Sequence, residues 1–594
     1  MVPAFLDVTS SALGLHWIGR LDAAGDNAAR AMVQTHGYGD ALARVLAGRG
    51  VTPEAAEGFL HPRLRDLMPD PLQLQDMQAA VDRLADAIQS HECVAIFGDY
   101  DVDGACSAAL LAEYLHAMGC PFLLYIPDRI FEGYGPNAEA IEKLRMDGAQ
   151  LLVTVDCGTM SHDVLAGASA NGLAAIVLDH HQAPESLPLA IVVNPNRQDD
   201  VSGLGYLCAA GVVHLTLVAL QRELGRRGWF SDGRAQQDLI AALDLVALAT
   251  VADVAALIGL NRAYVQRGLE VMAQRQRVGL AALADVARLH GRLRASQLGF
   301  ALGPRINAGG RIGDAALGAR LLLEQDALEA ARIAQELDRL NDERRKIETA
   351  TLDEAQAEAE AAQGEAALPA VIVTAADSWH PGVVGLVASR LRETFQRPAF
   401  AIAFQGATGT GSGRSVPGID LGRTVREAVD AGLLVKGGGH AMAAGLTIKR
   451  DQLGAFRAWL ERRLSGKMSQ VRAEARFEID AAVAAGGLTP ELAQEIEAAG
   501  PFGAGNPEPV FVLADHYVVD ALVLKDQHVK LRLRGPDRSM AEAIAFRAYG
   551  RPLGTALLAA RGQRLHVAGS LMHEIWQGRA RVNLRIVDCA SAEA

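Results

Sequence analysis

Short apolar runs alternate with helix-like segments between residues 76 and 181 of this 594-residue chain. The runs VAIF, FLLYI, LLVTV and AAIVL are typical of strands buried in a parallel sheet. The intervening segments, such as SAALLAEYLHAM and NAEAIEKLRMDG, have the length and spacing of helices. This alternation predicts an α/β fold in which helices cover both faces of a parallel sheet.

Acidic and histidine residues stand at the ends of these predicted strands. In sheets of this kind a ligand site lies outside the carboxyl ends of the strands. One more acid follows the apolar run LDLVALATVA, which is interpreted as another strand end. We therefore expect one shared site built from Asp99, Asp101, Asp103, Asp156, Asp179, His180, His181 and Asp253.

A site of this composition favours metal binding. Carboxylates that are packed together repel one another, and their pKa values rise. Two divalent cations about 3.5–4 Å apart relieve the repulsion, and such pairs hydrolyse phosphoesters by activating water and steadying charge on the phosphate. Carboxylates with one or two imidazoles suit Mn²⁺ or Mg²⁺. We expect two divalent metal ions, Mn²⁺ or Mg²⁺, as cofactors.

Each part of the pattern also has a plainer interpretation. A lone DxDxDG can begin a calcium-binding EF-hand loop, but the twelfth position, which needs a glutamate, falls at Leu110 or Leu111. A lone Asp-His-His is often only a polar loop. Four such parts in one α/β region favour a functional centre. The six cysteines lack CxxC spacing, which argues against a Cys-rich zinc site and fits a reducing cytoplasm.

The second half of the chain predicts three further regions. Residues 326–363 are rich in Ala, Glu, Arg and Leu, which indicates a long helical connector. A second α/β unit starts at 368, and its stretches SGRSVPG (412–418) and GGGHAMAAG (437–445) are interpreted as Gly-rich loops that can approach a phosphate. The alternative is that they are plain connecting loops. After residue 466, short alternating strands suggest a small β-barrel.

The distribution of charge bears on the partner. A net charge of −13 argues on average against nucleic acid, whose phosphates attract Lys and Arg. Between residues 525 and 585, however, twelve Lys and Arg stand against four Asp and Glu, a local net charge of +8. Charge placed in this way can steer a polyanion to one face of a protein. The alternative is a solvated basic face.

Several motifs together resemble a known family. The motifs GDYDVDG (98–104), VTVDCG (153–158), LDHH (178–181) and TVADV (250–254) resemble those of the DHH phosphoesterase superfamily, and GGGHAMAAG resembles its associated domain. From about residue 70 onward, the chain resembles the RecJ family of bacterial single-stranded-DNA-specific exonucleases. The resemblance implies 5′→3′ degradation of single-stranded DNA to 5′-mononucleotides with Mg²⁺ or Mn²⁺, in DNA repair and recombination.

The resemblance also implies roles for single residues. The implied metal ligands are Asp101, Asp103, Asp156, His180 and Asp253. Asp156 and Asp253 would bridge the two ions, Asp179 would orient the imidazoles, and His181 would face the scissile phosphate. Related pyrophosphatases have a histidine where this chain has Phe97, so Asp99 is a further candidate ligand.

A second set of residues is implied to bind the substrate: Arg129, Arg305, Arg311, His380, Ser412, Arg414 and His440. Arg129, Ser412 and Arg414 would hold the 5′-terminal phosphate, so that cleavage is measured from that end. Arg305 and Arg311 would contact the nucleic-acid backbone near the metals. The alternative for these two arginines is a salt bridge within the first lobe.

Five regions are expected: an N-terminal helical segment (1–75), a DHH phosphoesterase domain (76–325), a helical connector (326–366), a DHH-associated domain (367–465) and an OB-fold nucleic-acid-binding domain (466–594). Two other functions stay open: a phosphodiesterase for short oligonucleotides or small nucleotides, and a non-catalytic replication scaffold. The N-terminus lacks the features of a signal peptide and no apolar run is long enough to span a membrane, so a cytoplasmic protein is expected. Besides single-stranded DNA, the resemblance implies single-stranded-DNA-binding protein and a helicase as partners.

Overall fold

The computed structural model describes residues 3–128, 132–133, 135–363, 368–576 and 579–592. The chain forms two compact units, each assembled from separate stretches of sequence. The first unit comprises Met1–Met68, Ala256–Gln266 and Ala475–Ala594, and the second comprises Pro69–Ala255 and Arg267–Glu474. The N-terminal segment therefore belongs to the same unit as the C-terminal strands.

The N-terminal part of the first unit is one strand followed by four helices: β1 (His16–Gly19), α1 (Ala23–His36), α2 (Asp40–Gly48), α3 (Ala56–Leu60) and α4 (Leu64–Leu67). The Asp22 carboxylate caps α1 by accepting from the Gly25 backbone N–H at 2.8 Å. The helix ends at Gly37, whose φ of 71° is left-handed.

The predicted parallel sheet is confirmed in the second unit. Its elements are α5 (Met77–Gln89), β2 (Val94–Gly98), α6 (Val102–Ala117), β3 (Phe122–Tyr125), α7 (Ala138–Met146), β4 (Leu151–Val155), α8 (His162–Ala170), β5 (Ala174–Leu178) and β6 (Ile191–Val193). The five strands are parallel and lie in the order β3-β2-β4-β5-β6. Strands β2 and β4 are buried along their whole length, as expected of a sheet covered on both faces.

Further helices follow along the chain: α9 (Ala209–Arg226), α10 (Leu243–Ala252), α11 (Gly259–Ala273), α12 (Val278–Val286), α13 (Ala295–Gln297), α14 (Gly303–Ile312) and α15 (Leu317–Leu323). All belong to the second unit except the first part of α11, up to Gln266, which is assigned to the first unit. A π-helical turn, Leu298–Leu302, joins α13 to α14. The interpretation of the run before Asp253 as a strand is wrong, because the run forms α10. All residues from Leu243 to Thr250 are buried, so the run lacks the 3.6-residue polar periodicity that indicates a helix.

The long connector is confirmed as a single helix, α16 (Ala327–Gln363). The second α/β region follows it, with β7 (Ile372–Ala376), α17 (Val384–Phe395), β8 (Ala399–Gln405), β9 (Thr408–Arg414), α18 (Leu421–Asp430), β10 (Lys436–His440), β11 (Ala443–Lys449) and α19 (Leu453–Ala473). Its sheet has the order β10-β11-β9-β8-β7, in which β7 and β8 are parallel and the other neighbours antiparallel. Helix α19 continues across the predicted boundary at residue 465.

The two Gly-rich stretches of this region lie largely in strands rather than loops, which corrects their interpretation, although residues 415–418 of the first stretch do form a turn. Residues 408–414 form β9, and the stretch 437–445 lies mostly in the β10–β11 hairpin. The glycines of β9 leave room for side chains of β8: a Cβ at Gly413 would lie 2.4 Å from the Phe400 ring, and one at Gly411 would lie 2.8 Å from Ile402. Their small size therefore serves packing in the sheet.

The C-terminal part of the first unit contains β12 (Arg476–Ile479), β13 (Ala481–Val483), α20 (Pro490–Ala498), β14 (Phe511–Leu524), β15 (His528–Arg534), β16 (Met540–Ala545), α21 (Pro552–Ala559), β17 (Arg564–Trp576) and β18 (Arg579–Ser591). Strands β14, β15, β16, β18 and β17 pair in that order, and β17 pairs back onto β14. This closes a five-stranded barrel, as predicted for an OB fold. Strand β12 pairs in parallel with β1, so the N-terminal segment is tied to this unit.

Candidate active site

The carboxyl ends of three neighbouring strands bring most of the predicted site residues together. Asp99 follows β2, Asp156 follows β4 and Asp179 follows β5, and these strands lie side by side. The His180 imidazole is central, because its Nε2 atom lies 3.3 Å from Asp156 Oδ1, 3.7 Å from Asp103 Oδ2 and 3.9 Å from Asp253 Oδ2. The structure therefore brings these predicted residues together, and Asp253 reaches the cluster from the C-terminus of α10.

Among the residues that the structure describes, three groups of side chains lie close enough to hold a metal ion, with ligand atoms within 4.8 Å of one another. They are Asp99, Asp101 and Asp156; Asp103, His180 and Asp253; and Asp156, His180 and His181. The first two groups share no residue, and Asp156 connects the first group to the histidines. The further candidate Asp99 thus lies beside the predicted ligands Asp101 and Asp156.

The loop after β2 is shaped by its own carboxylates. Asp101 caps α6, because its Oδ1 accepts from the backbone N–H groups of Asp103 at 2.9 Å and Gly104 at 3.1 Å. Position 104 requires glycine, since a Cβ there would lie 2.3 Å from the Asp99 carbonyl oxygen. The DxDxDG spacing therefore encodes a tight turn into a capped helix, which fixes Asp99, Asp101 and Asp103 relative to one another.

Asp103 is held by the N-terminus of α9. Its two carboxylate oxygens accept from the backbone N–H groups of Ala209 at 2.7 Å and Ala210 at 2.8 Å. The start of a helix carries partial positive charge, which favours an anion there. Burial nevertheless raises the pKa of Asp103, with the neighbouring Asp101 charge acting in the same direction.

The electrostatics of the cluster fit cations. Burial, followed by repulsion from Asp103, Asp101 and Asp99, raises the pKa of Asp156 well above its usual range. Burial and the charges of Asp103 and Asp101 likewise raise the pKa of Asp253 to about 8. So many carboxylates cannot all be ionised in a buried site without opposite charge. An oxygen-rich set with one or two imidazoles is a donor set for Mg²⁺ or Mn²⁺.

Asp179 and His181 form a hydrogen-bonded pair beside this cluster. Asp179 Oδ1 accepts from His181 Nδ1 at 2.8 Å, and its other oxygen accepts from the Thr159 backbone N–H at 3.2 Å. Burial favours the neutral carboxyl, but the hydrogen bond and charge of His181 lower the pKa of Asp179 overall. Burial would lower the pKa of His181, but Asp179 raises it to about 9. The pair therefore holds a charged imidazole at the edge of the acidic cluster.

Three asparagines support the site and were not found from the sequence. Asn194 Nδ2 donates to the His181 carbonyl at 2.8 Å, and Asn196 Nδ2 donates to the His180 carbonyl at 2.6 Å. Asn307 Oδ1 accepts from the Val102 backbone N–H at 3.1 Å and so holds the loop after β2. The available signal was the position of Asn194 directly after the apolar run IVV, which is β6.

The two predicted backbone-binding arginines have protein partners. Arg305 Nε donates to Asp338 Oδ1 on α16 at 2.8 Å, and its Nη1 donates to the Ala301 carbonyl at 2.8 Å. Arg311 Nη1 donates to the carbonyl of Gly382 at 3.0 Å. Arg305 thus forms a salt bridge with the connector helix α16 rather than within the first lobe, while Arg311 links α14 to the loop before α17.

Ser412 and Arg414 form a polar pocket at the start of α17. They point to one face of β9, and Arg414 Nη1 donates to Ser412 Oγ at 2.8 Å. A Cβ at Gly385, in the first turn of α17, would lie 3.1 Å from Arg414 Nη2 and 3.2 Å from Ser412 Oγ. An arginine, a hydroxyl and a helix N-terminus together suit a phosphate.

The other predicted substrate-binding residues are placed differently. His440 on β10 and Arg414 on β9 both pair with Ala443 on the strand between them, so they lie in one row across the sheet. Two strand spacings, or about 10 Å, therefore separate their backbones. His380 Nδ1 accepts from the Gly382 backbone N–H at 3.1 Å, in the loop that Arg311 contacts. Arg129 lies outside the described residues.

None of the helices in the described ranges is long and apolar enough to cross a membrane. All six cysteines, each of which is described, are free thiols.

Family models match three parts of the chain. The DHH family N-terminal domain matches residues 93–250, the DHHA1 domain residues 368–466 and the RecJ OB domain residues 479–588. They coincide with the parallel-sheet lobe, the second α/β region and the barrel.

Relatives match most of the chain. A protein of Dickeya dadantii named single-stranded-DNA-specific exonuclease RecJ is 39% identical over 85% of this chain and 88% of its own length. The Escherichia coli protein of the same name is 36% identical over the same shares. The crystal structure of Thermus thermophilus RecJ in complex with Mn²⁺ has a TM-score of 0.77 and 31% identity, covering 96% of this chain and 78% of that chain. The Mg²⁺ complex has a TM-score of 0.74 and 30% identity, covering 96% and 77%. The resemblance seen in the motifs is confirmed, and the chain belongs to the RecJ family.

Proposed function

We propose that this protein is a single-stranded-DNA-specific exonuclease that hydrolyses phosphodiester bonds from the 5′ end and releases 5′-mononucleotides. The observation that carries the proposal is the cluster of buried carboxylates and imidazoles at the carboxyl ends of β2, β4 and β5. The names of the relatives add the substrate class and the exonuclease activity. Roles in DNA repair and recombination follow from the family.

The cofactors in this proposal are two divalent ions, Mn²⁺ or Mg²⁺, as in the titles of the Thermus thermophilus structures. Asp99, Asp101 and Asp156 would hold one ion, and Asp103, His180 and Asp253 the other. Asp156 is the better candidate for a bridge, because its Oδ1 faces both His180 and His181. When bound, the two ions supply an activated water and neutralise charge on the phosphate.

The remaining residues of the centre position the substrate and hold protons. His181, oriented by Asp179, would donate from its exposed ring edge to an oxygen of the scissile phosphate. Asp179 itself acts through the imidazole and contacts no reacting atom in this scheme. Asn194 and Asn196 fix the backbone that carries both histidines.

The pocket of Ser412 and Arg414 would bind the 5′-terminal phosphate, with Arg129 as a further predicted contact. Arg414 offers a planar guanidinium and the first turn of α17 offers backbone N–H groups. Since this pocket lies in the same compact unit as the metal cluster, anchoring one end of the strand sets the bond that is cut. This accounts for the proposed polarity. His380 and His440 would extend the phosphate-binding surface. Arg305 and Arg311 would contact the backbone of the strand near the metals.

The barrel would bind the strand beyond the site through its basic residues, by contacts with phosphates more than by reading bases. A cytoplasmic location fits the six free cysteines. Single-stranded-DNA-binding protein and a helicase stay predicted partners that rest on the family alone.

End-labelled strands test the proposal. With Mn²⁺, we expect a 5′-label to be released at once as a mononucleotide and a 3′-label to persist until the strand is consumed. A dinucleotide should turn over far more slowly than a long 5′-phosphorylated strand. Preferred turnover of the dinucleotide would support the small-substrate alternative, and intact DNA with bound protein would support the scaffold alternative. Loss of the 3′-label first would contradict the polarity.

A further inference from the structure

Val254, the residue directly after Asp253, has a backbone conformation that valine rarely adopts. Its φ is 60°, which lies in the left-handed region. Branching at Cβ makes this region far less favourable for valine than for glycine or asparagine, the residues that usually occupy it. Among all the residues that the structure describes, Val254 is the only β-branched residue with a left-handed φ.

This valine completes the C-terminal cap of α10. The Val254 backbone N–H donates to the Val251 carbonyl at 3.2 Å, and the Ala255 backbone N–H donates to the Thr250 carbonyl at 3.0 Å. The two bonds form a Schellman motif, in which the left-handed position is usually glycine. Asp253 is the cap residue of the same motif, so the direction of its side chain depends on the conformation of this turn.

Packing does not explain why a valine stands in the cap. Its side chain is 70% exposed, so its methyl groups bury little apolar surface. The strained backbone therefore lowers the stability of the fold without a compensating contact inside it. Strain of this kind persists where the surrounding structure imposes it, and it is concentrated at functional sites.

The end of α10 is held firmly by a neighbouring element. A Cβ at Gly299 in the π-helical turn would lie 3.4 Å from Val251, and a Cβ at Gly303 would lie 3.4 Å from Ala252. The backbones of the two elements thus approach closely just before the cap. What remains to be set is the turn beyond the helix, which carries Asp253.

We infer that Val254 is a positioning residue for the metal centre and keeps the Asp253 carboxylate directed at His180 and Asp103. The inference rests on the proposed nuclease function and specifies how one ligand of that site is held. Asp253 Oδ2 lies 3.9 Å from His180 Nε2, which lies 3.7 Å from Asp103 Oδ2. A branched side chain leaves the left-handed turn little freedom in φ and ψ, whereas glycine would let it drift. A ligand that is already oriented loses less entropy when it binds an ion.

Helix α12 provides a matched control, because it ends in the same type of cap. Arg288 is left-handed with a φ of 56°, and its backbone N–H donates to the Asp285 carbonyl at 2.9 Å. The Leu289 backbone N–H donates to the Ala284 carbonyl, also at 2.9 Å. Arg288 is exposed, and the three ligand groups contain no residue of α12. Arg288→Gly therefore removes the same kind of backbone strain away from the proposed ligands.

Calorimetric titration of Mn²⁺ into the metal-free protein, without DNA, is the primary measurement. We expect Val254→Gly to weaken the binding of one of the two ions by about tenfold or more, the size typical of groups that orient a metal ligand. Val254→Ile keeps the branch and has room in solvent, so it should bind Mn²⁺ as the wild type does. Arg288→Gly should do the same. Melting in EDTA should show both glycine variants at least as stable as the wild type, because each releases a side chain from the left-handed region.

Nuclease assays separate positioning of a metal ligand from a general loss of structure. Val254→Gly should need about tenfold more Mn²⁺ for its half-maximal rate. Saturating Mn²⁺ should restore most of kcat, while the KM for the strand stays at the wild-type value.

Equal Mn²⁺ affinities of Val254→Gly and the wild type would overturn the inference and leave the nuclease function intact. An equal loss of affinity in Arg288→Gly would overturn it too, since the effect would then belong to any such cap. A wild type that binds no Mn²⁺ would contradict both proposals. If the affinities differ as expected but the wild type leaves the strand uncut at every Mn²⁺ concentration, the nuclease function fails and the positioning role of Val254 stands.

Discussion

Replacing Asp253 with asparagine is expected to stabilise the metal-free protein while abolishing its activity. The carboxyl has a pKa of about 8 in the fold against 3.8 in the unfolded chain, because of burial and the charges of Asp103 and Asp101. The fold therefore keeps the proton to higher pH than the unfolded chain does. Stability contributed by this group falls as the pH rises from about 4 to about 8.

The magnitude follows from the difference between the two pKa values. At pH 7 the unfolded carboxyl is about three pH units above its pKa, whereas the folded carboxyl stays mostly protonated. Each unit is worth about 1.4 kcal/mol, so the group lowers the free energy of unfolding of the metal-free protein by at most about 4 kcal/mol. Asparagine has nearly the same shape and carries no charge, so Asp253→Asn should recover much of this.

Calorimetric melting in EDTA measures the effect. At pH 7 we expect a higher Tm for Asp253→Asn than for the wild type, and at pH 4 equal values. Saturating Mn²⁺ should narrow the difference, because the ion that needs Asp253 binds only the folded wild type and adds about 2.7 kcal/mol at a concentration of 100 times Kd. Asp353 is an exposed carboxylate on α16, and Asp353→Asn should leave the Tm unchanged both in EDTA and with Mn²⁺. A wild type that is as stable as Asp253→Asn in EDTA at pH 7 would refute the account of the cluster.

Three other perturbations follow from the same structure. Asp156→Ala should lower hydrolysis by at least a thousandfold and leave strand binding in EDTA within about twofold, as checked by product release and anisotropy; wild-type rates would contradict the metal cage. Arg414→Ala should slow degradation of 5′-phosphorylated strands by about tenfold or more and hardly affect 5′-hydroxyl strands, and equal losses on both would argue against the phosphate pocket. His214 is buried and its Nε2 contacts the Leu239 carbonyl at 3.1 Å, and burial lowers its pKa to about 4. Because the unfolded chain takes up this proton first, stability should fall by up to about 3 kcal/mol from about pH 6.5 to pH 4, and the Tm of His214→Gln should depend less on pH over that range.

The sheet and its acidic edge could be predicted because two local rules act in the same direction. Short buried strands identify themselves by continuous apolar character, and the carboxyl ends of parallel neighbours must meet. Asp156 and Asp179 were therefore placed in one site from sequence alone. Asp253 was placed there too, but for a wrong reason, because a helix buried on all sides has the same apolar character as a strand.

Contacts between distant segments could not be predicted in the same way. Asn307 is hydrogen-bonded to Val102, which lies 205 positions away in the sequence. No local sequence pattern indicates which asparagine side chain makes such a long-range bond. The pairing of Arg305 with Asp338 depends on how α14 packs on α16, which no local rule fixes. In the Gly-rich strand β9, composition suggested a loop, whereas the glycines make room for the Phe400 ring.

Helix α14 gives a physical reason why successive cuts should remove equal lengths. It holds the loop after β2 through Asn307 in its middle and through Gly310 in its last turn, where a Cβ would lie 2.0 Å from the Tyr100 ring. Its last turn holds the loop before α17 through the Arg311 bond to the Gly382 carbonyl. Helix α14, which is ten residues long, therefore contacts both the loop that carries part of the acidic cluster and the loop before the proposed phosphate pocket. A strand whose terminal phosphate occupies the pocket would then present the same bond to the acidic cluster each time, because α14 contacts both places and so couples their positions.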